Sequence, residues 1–230
     1  MTPPPFVAVF ALFDRVTQLD FTGPYEVFWR VPGAQCVMAS SRGGEILADG
    51  GLRFAGVQRL AEVARADLLC VPGGFGVIEA LRDAEYLAQL RRLAAGARYV
   101  TSVCSGSVLL GGAGLLQGKR AACHWAWRDL LPPFGATVDQ ARVVRDGRLI
   151  TGGGVTAGID MALTVLADIV GPEQAQAVQL GIEYAPAPPF DCGRPERASP
   201  HIVSAVTARL DRLRADRHAA VQQAAAALPA

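Results

Sequence analysis

This sequence predicts an α/β fold: a mostly parallel sheet with helices on both faces. Three observations point there. Short apolar runs alternate with helical ones along the chain. Those runs are apolar throughout, as strands buried on both faces must be. Hydrophobic residues make up 51% of the 230 residues and charged ones 19%, enough for one large core.

The elements follow in order. Phe6–Phe13 is a continuous apolar run and reads as the first strand. Thr22–Val31 reads as a helix with Pro24 in its first turn. Gln35–Ser40 is a second strand, and "GGEILADGGLRFAG" a hairpin marked by its glycine pairs. Asp67–Val71 is a third strand, ending in "PGGFG". Ala84–Gly96 is a helix stopped by Gly96. Arg98–Val103 is a fourth strand and Ser105–Gly114 the helix after it. "GKRAACH" is a short strand and "WAWRDLL" a short helix. "ATVDQARVVRDGRLITGGG" holds two strands joined at Asp146–Gly147. Val155–Val170 and Pro172–Tyr184 are helices, and residues 185–199 a loop. One final helix, capped by Ser199–Pro200, runs toward residue 226. The reading is an α/β domain over 1–198 and a C-terminal helix within 199–230, packed on the domain or on a partner.

Charge and cysteine usage exclude several classes. A formal net charge of +1 gives no reason to expect nucleic acid or an anionic membrane as partner. Arg209, Arg212, Arg214 and Arg217 alternate with Asp211 and Asp216, which reads as a solvated helix face. No secretory signal is visible, and Phe6–Phe13 is too short to span a bilayer. Tyr99–Gly118 is broken by Cys, Ser and Gly. A soluble, cytoplasmic chain is expected. Its five cysteines are widely spaced with no CxxC, so neither a disulfide framework nor a metal cage is expected.

The chemistry concentrates at strand ends, where ligands sit in such sheets. In "RYVTSVCSGS" a buried strand runs into a helix with Cys104 at the joint. That resembles a nucleophile elbow, with Gly106 two residues on and Ser102 in the first small position. The helix N-terminus there is expected to favour the thiolate and lower its pKa. Asp20, in "TQLDFTGPYEVF", is expected in the loop after the first strand. It is either a helix N-cap or a carboxyl facing Cys104, with Asp14 as its rival. If it faces Cys104, like charges disfavour double ionisation, and a neutral Asp20 beside the thiolate becomes a proton donor. Gly73 and Gly74, in "PGGFG", offer amides to developing negative charge. "TGGGVTAGID" lacks the P-loop Lys-Ser/Thr and the full dinucleotide fingerprint, and reads as close backbone approach near the site. His124 is a pocket residue or a core histidine. Cys123, its neighbour on a strand, faces the other way and forms no dyad with it. Trp125 and Trp127 read as packing or as substrate stacking, and the apolar lining of the pocket is expected from Phe21, Trp125 and Val155.

Together "LDFTGPYEVF", "VPGGFG", "VCSGSVLLGGAGLLQGKRAACHW" and "GGGVTAGIDMALTVL" resemble the ThiJ/PfpI superfamily, over residue 6 to about 185. Within it, the resemblance is closest to the isocyanide (isonitrile) hydratases. It implies a flavodoxin-like fold and a homodimer. The implied activity is cofactor-free hydration of R–N≡C to an N-substituted formamide. Cys104 would be the nucleophile, Asp20 the acid/base, and Ser105 would stand where the family usually has Thr. The protease branch has His directly after its elbow cysteine; Ser105 here argues against that activity. Related transcription regulators append a helix-turn-helix region, for which about thirty residues after 199 leave no room. The alternatives are glyoxalase or deglycase chemistry on 2-oxoaldehydes, and a cysteine redox sensor or regulator.

Overall fold

The computed structural model describes residues 5–211 and 216–228. Its strands are β1 (Val7–Ala11), β2 (Gln35–Ser40), β3 (Gly44–Leu47), β4 (Arg53–Arg59), β5 (Leu68–Val71), β6 (Tyr99–Val103), β7 (Arg120–Ala121), β8 (Thr137–Val138), β9 (Val143–Asp146) and β10 (Leu149–Gly152). Its helices are α1 (Gln18–Phe28), α2 (Val77–Arg82), α3 (Ala84–Gly96), α4 (Gly106–Gly112), α5 (Ala157–Val170), α6 (Pro172–Gly181), α7 (Pro200–Asp211) and α8 (Arg217–Ala226).

Eight strands form one sheet in the order β3-β4-β2-β1-β5-β6-β10-β9. The pairs from β4 through β10 are parallel. The β3–β4 and β9–β10 hairpins close the two edges in antiparallel fashion. β1, β5 and β6 are buried at every residue, which is why they read as unbroken apolar runs. The connections leave β1 in opposite directions, to β2 on one side and β5 on the other. The crevice at that switch point is where an open α/β sheet binds ligands. Helices α1, α5 and α6 pack together, and α2, α3, α4 and α8 form a second group. Among the described residues no helix is long and apolar enough to cross a membrane.

The helix expected at Thr22–Val31 begins four residues earlier. Asp20 therefore lies inside the first turn of α1, not in the loop after β1. Pro24 is interior, and the N–H it lacks would have pointed to the Asp20 carbonyl. Its ring instead packs on α5, where a Cβ on Gly158 would lie 3.1 Å from Pro24 Cγ. Helix α2 follows "PGGFG" directly and was not legible as an element of its own. In place of one final helix, the described residues hold two, α7 and α8.

The reading of Arg209–Arg217 as a solvated face is corrected at Arg217. This side chain is 2% exposed, and its guanidinium carbon sits 3.6 Å from the centre of the Trp127 ring. A flat, weakly hydrated guanidinium can be buried against an indole face, where an ammonium could not. Arg212 and Arg214 lie outside the described residues. α8 itself packs against α2 and α4 through buried Ala220 and Val221.

Candidate active site

Cys104 joins β6 to α4 with φ of 60°, a left-handed conformation rare for a residue with a Cβ. Such a conformation costs about 1–3 kcal/mol and persists only where neighbours hold it. Here the Cys104 N–H donates to the Gly153 carbonyl at 2.7 Å and the Gly152 carbonyl at 3.2 Å. Its own carbonyl accepts from the His124 N–H at 3.3 Å. The strand is thus turned sharply and the side chain is presented at the end of the sheet. Gly106 makes this possible, because a Cβ there would overlap the Val71 carbonyl oxygen at the end of β5. Gly106→Ala should cost at least ~2 kcal/mol through overpacking against rigid backbone. A lowered urea midpoint at unchanged slope would register it, and an unchanged midpoint would refute it.

The opposite wall comes from the turn after β5. Val16 and Gly74 form an antiparallel bridge, and the Thr17 N–H donates to the Gly73 carbonyl at 2.9 Å. This ties the start of α1 to "PGGFG". The Gly73 N–H donates to Asp20 Oδ2 at 2.9 Å, and the Gly74 N–H to Ser105 Oγ at 3.1 Å. Both amides are therefore spent on building the site. The expectation that they meet developing negative charge is corrected; backbone N–H groups of Ser105 and Val155 face the Cys104 sulfur instead. A Cβ at Gly73 would lie 2.5 Å from Ser105 N and Oγ and 3.0 Å from Asp20 Oδ2. Ser105 and Asp20 thus close on a backbone position that has no room for a side chain.

Asp20 is fully buried, and burial pushes its carboxyl up to about 7. The Gly73 amide and the Cys104 thiol hold it down, with less effect. Its Oδ1 makes no regular hydrogen bond among the described residues, so the neighbouring thiol is the side chain that steadies its charge. Cys104 is 7% exposed. Burial raises its pKa well above the usual thiol value, and the Asp20 charge raises it further. The expectation of a depressed thiol is thus corrected. α4 has only seven residues and so a weak dipole, and desolvation outweighs it. The two groups titrate as a pair.

Cys104 opens onto a cavity of about 130 Å³, lined also by Gly74, Ser105, His124, Trp127 and Val155. His124 is a pocket residue. Its Nδ1 accepts from the Ala126 N–H at 3.2 Å, leaving the proton on Nε2. Burial, then the nearby Arg128 charge, pushes its pKa down to about 4, so it is neutral at pH 7. Trp125 does not face Cys104; it lies beside His124 and lines an adjoining hollow. In the 3₁₀ turn over Trp125–Leu130, residues two apart point to different sides, and Trp127 takes the cavity wall. Phe21 is turned away as well, edge-on to Phe54 at 4.8 Å. Leu210, from α7, also lines the Cys104 cavity. No local pattern marks it, since its role depends on how a remote helix packs.

The comparisons agree with this architecture. The DJ-1/PfpI family profile matches residues 7–168. The chain is 50% identical over 194 residues to a Pseudomonas putida protein named isonitrile hydratase, covering 84% of this chain and 85% of that one. The crystal structure of a ThiJ/PfpI family protein from Pseudomonas syringae superposes with a TM-score of 0.90 at 35% identity, over 96% of this chain and 90% of that one. Drosophila melanogaster DJ-1beta shares the fold, with a TM-score of 0.71 at 23% identity over 79% of this chain and all of the other. A strained elbow cysteine on this sheet, and a family profile spanning β1 to α5, lead to one conclusion: the chain belongs to the DJ-1/PfpI family.

Proposed function

We propose that this chain is an isocyanide hydratase, converting R–N≡C and water to an N-substituted formamide. The observation that carries the reading is the buried Asp20–Cys104 pair, which can pass one proton between a carboxyl and a sulfur. The 50% identity to the isonitrile hydratase supports it.

An isocyanide carbon must gain both a nucleophile and a proton. Asp20 as carboxylate takes the Cys104 S–H proton, and the sulfur attacks the terminal carbon. Asp20 returns that proton to the same carbon, forming S–C and C–H bonds and leaving a thioimidate, R–N=CH–S. Water then adds to the carbon; Asp20 takes its proton and nitrogen receives it. The new hydroxyl yields its proton by way of Asp20 to the departing sulfur. The S–C bond breaks, the formamide leaves, and the thiol is restored. Acid–base help of this kind is typically worth roughly 10²–10⁴-fold. Ser105 acts as a positioning residue through Gly74, while the Ser105 and Val155 amides steady the sulfur as it gains charge. Trp127, Val155 and neutral His124 give the apolar wall a weakly polar substrate needs.

The pH dependence follows. Below about 7 both Asp20 and the thiol are protonated, and no base is present to start the reaction. As pH rises through about 7 Asp20 ionises, so kcat/KM should rise, then hold level until the pair loses its second proton at high pH. A kcat/KM flat from pH 5 to 9 would remove Asp20 as base. The direct test is formamide production from an aryl isocyanide. Turnover of methylglyoxal without isocyanide turnover would reassign the enzyme to 2-oxoaldehyde chemistry. Five unpaired cysteines support a reducing, cytoplasmic setting. The family resemblance supports a homodimer, and exposed Phe190, Ile202 and Val206 supply apolar surface for one.

A further inference from the structure

A second hollow lies beside the Cys104 cavity. His124 and Val155 line both the Cys104 cavity and an adjoining hollow of about 230 Å³. Three guanidinium side chains line that hollow: Arg128, Arg142 and Arg194. Asp160 pairs with Arg142 at 2.6 Å, and Glu196 with Arg128 at 3.5 Å. Neither carboxylate lines the hollow, and three cations face two anions. Arg128 Nε is buried with no hydrogen-bond partner among the described residues. Arg194 is exposed and forms no side-chain ion pair among the described residues. A buried guanidinium donor without an acceptor is costly, and an anionic acceptor is the group that would relieve it. The hollow beside the nucleophile's cavity is therefore basic, with one buried guanidinium donor unsatisfied.

We infer that the hollow receives a carboxylate, so that the preferred substrates are small isocyanides bearing an acidic group on an apolar spacer. This rests on the isocyanide reading above. The terminal carbon meets Cys104, the spacer passes Trp127, Val155 and His124, and the carboxylate meets Arg128 and Arg194. Neutral His124 adds no charge at the passage. Arg is suited to this, because its planar fork matches a carboxylate in two-point contact.

The test compares 4-isocyanobenzoate with its methyl ester, which differ in charge far more than in shape. Wild-type kcat/KM should favour the acid by ~10-fold or more, chiefly through KM. Arg194→Gln, at an exposed position, should cut the acid-to-ester ratio by roughly 5–10-fold. Arg128→Lys keeps the charge but loses the Nε donor, and should cut it by a similar factor. An acid-to-ester ratio near one in the wild type, or one that neither variant moves, overturns the inference. Calorimetry on the Cys104→Ala protein reads the hollow without turnover, using 4-formamidobenzoate and its methyl ester. Tighter binding of the acid supports the inference and equal binding overturns it. Failure to hydrate either isocyanide would instead overturn the isocyanide reading alone.

Discussion

Cys104→Ala should abolish formamide production, with a loss of at least ~10⁴-fold, because no other group at the site can form the covalent intermediate. Of the other buried thiols, burial pushes Cys70 up to about 12 and Cys123 well above the usual thiol value, and neither lines the cavity. Cys104→Ser should be nearly as inactive, since a hydroxyl gives up its proton far less readily than a thiol. A third replacement separates chemistry from strain. Glycine adopts φ of 60° freely, whereas alanine does not. Cys104→Gly should therefore be more stable than Cys104→Ala by ~1 kcal/mol, both being inactive. Residual turnover in Cys104→Ala within tenfold of wild type would remove the nucleophile assignment. Equal urea midpoints for the Ala and Gly variants would remove the strain.

Asp20→Asn should lower kcat/KM by roughly 10²–10⁴-fold and at the same time stabilise the protein above neutral pH. The sign follows from linkage. Burial raises the folded carboxyl from 3.8 to about 7. The folded state therefore holds its proton where the unfolded chain has lost it, and stability falls as pH rises from about 4 through about 7. Ionising Asp20 in place costs on the order of 4 kcal/mol, an upper bound where the thiol can share the proton. Asparagine carries no such cost. Gly73 can still donate to its oxygen, and its amide N–H₂ can turn to the sulfur. At pH 4 the two proteins should unfold at similar denaturant concentrations; at pH 8 Asp20→Asn should be the more resistant. Undiminished turnover would end the acid/base role. A variant less stable at pH 8 would show that the ionised carboxyl is welcome where it sits.

Much of this was legible before any coordinates. The unbroken apolar runs of β1, β5 and β6 marked strands covered on both faces. The joint at Cys104 was marked by the change from β-branched to small residues, and "PGGFG" by a run only a tight approach requires. These are local signals, readable within about ten residues. Type and neighbourhood single out Asp20 but not its place, because a Pro four residues on suggests a first turn, whereas Pro24 packs inside α1 against Gly158.

Motif and periodicity settled the sheet and the elbow, because each is encoded in a short contiguous stretch. Packing alone decided the rest. The proton balance of Asp20 and Cys104 depends on how completely water is excluded from both, and that exclusion comes from segments distant in the chain. Trp127 rather than Trp125 lines the Cys104 cavity, Leu210 lines it too and Arg217 is buried on an indole for the same reason. Each is a contact between elements that no short window of sequence contains.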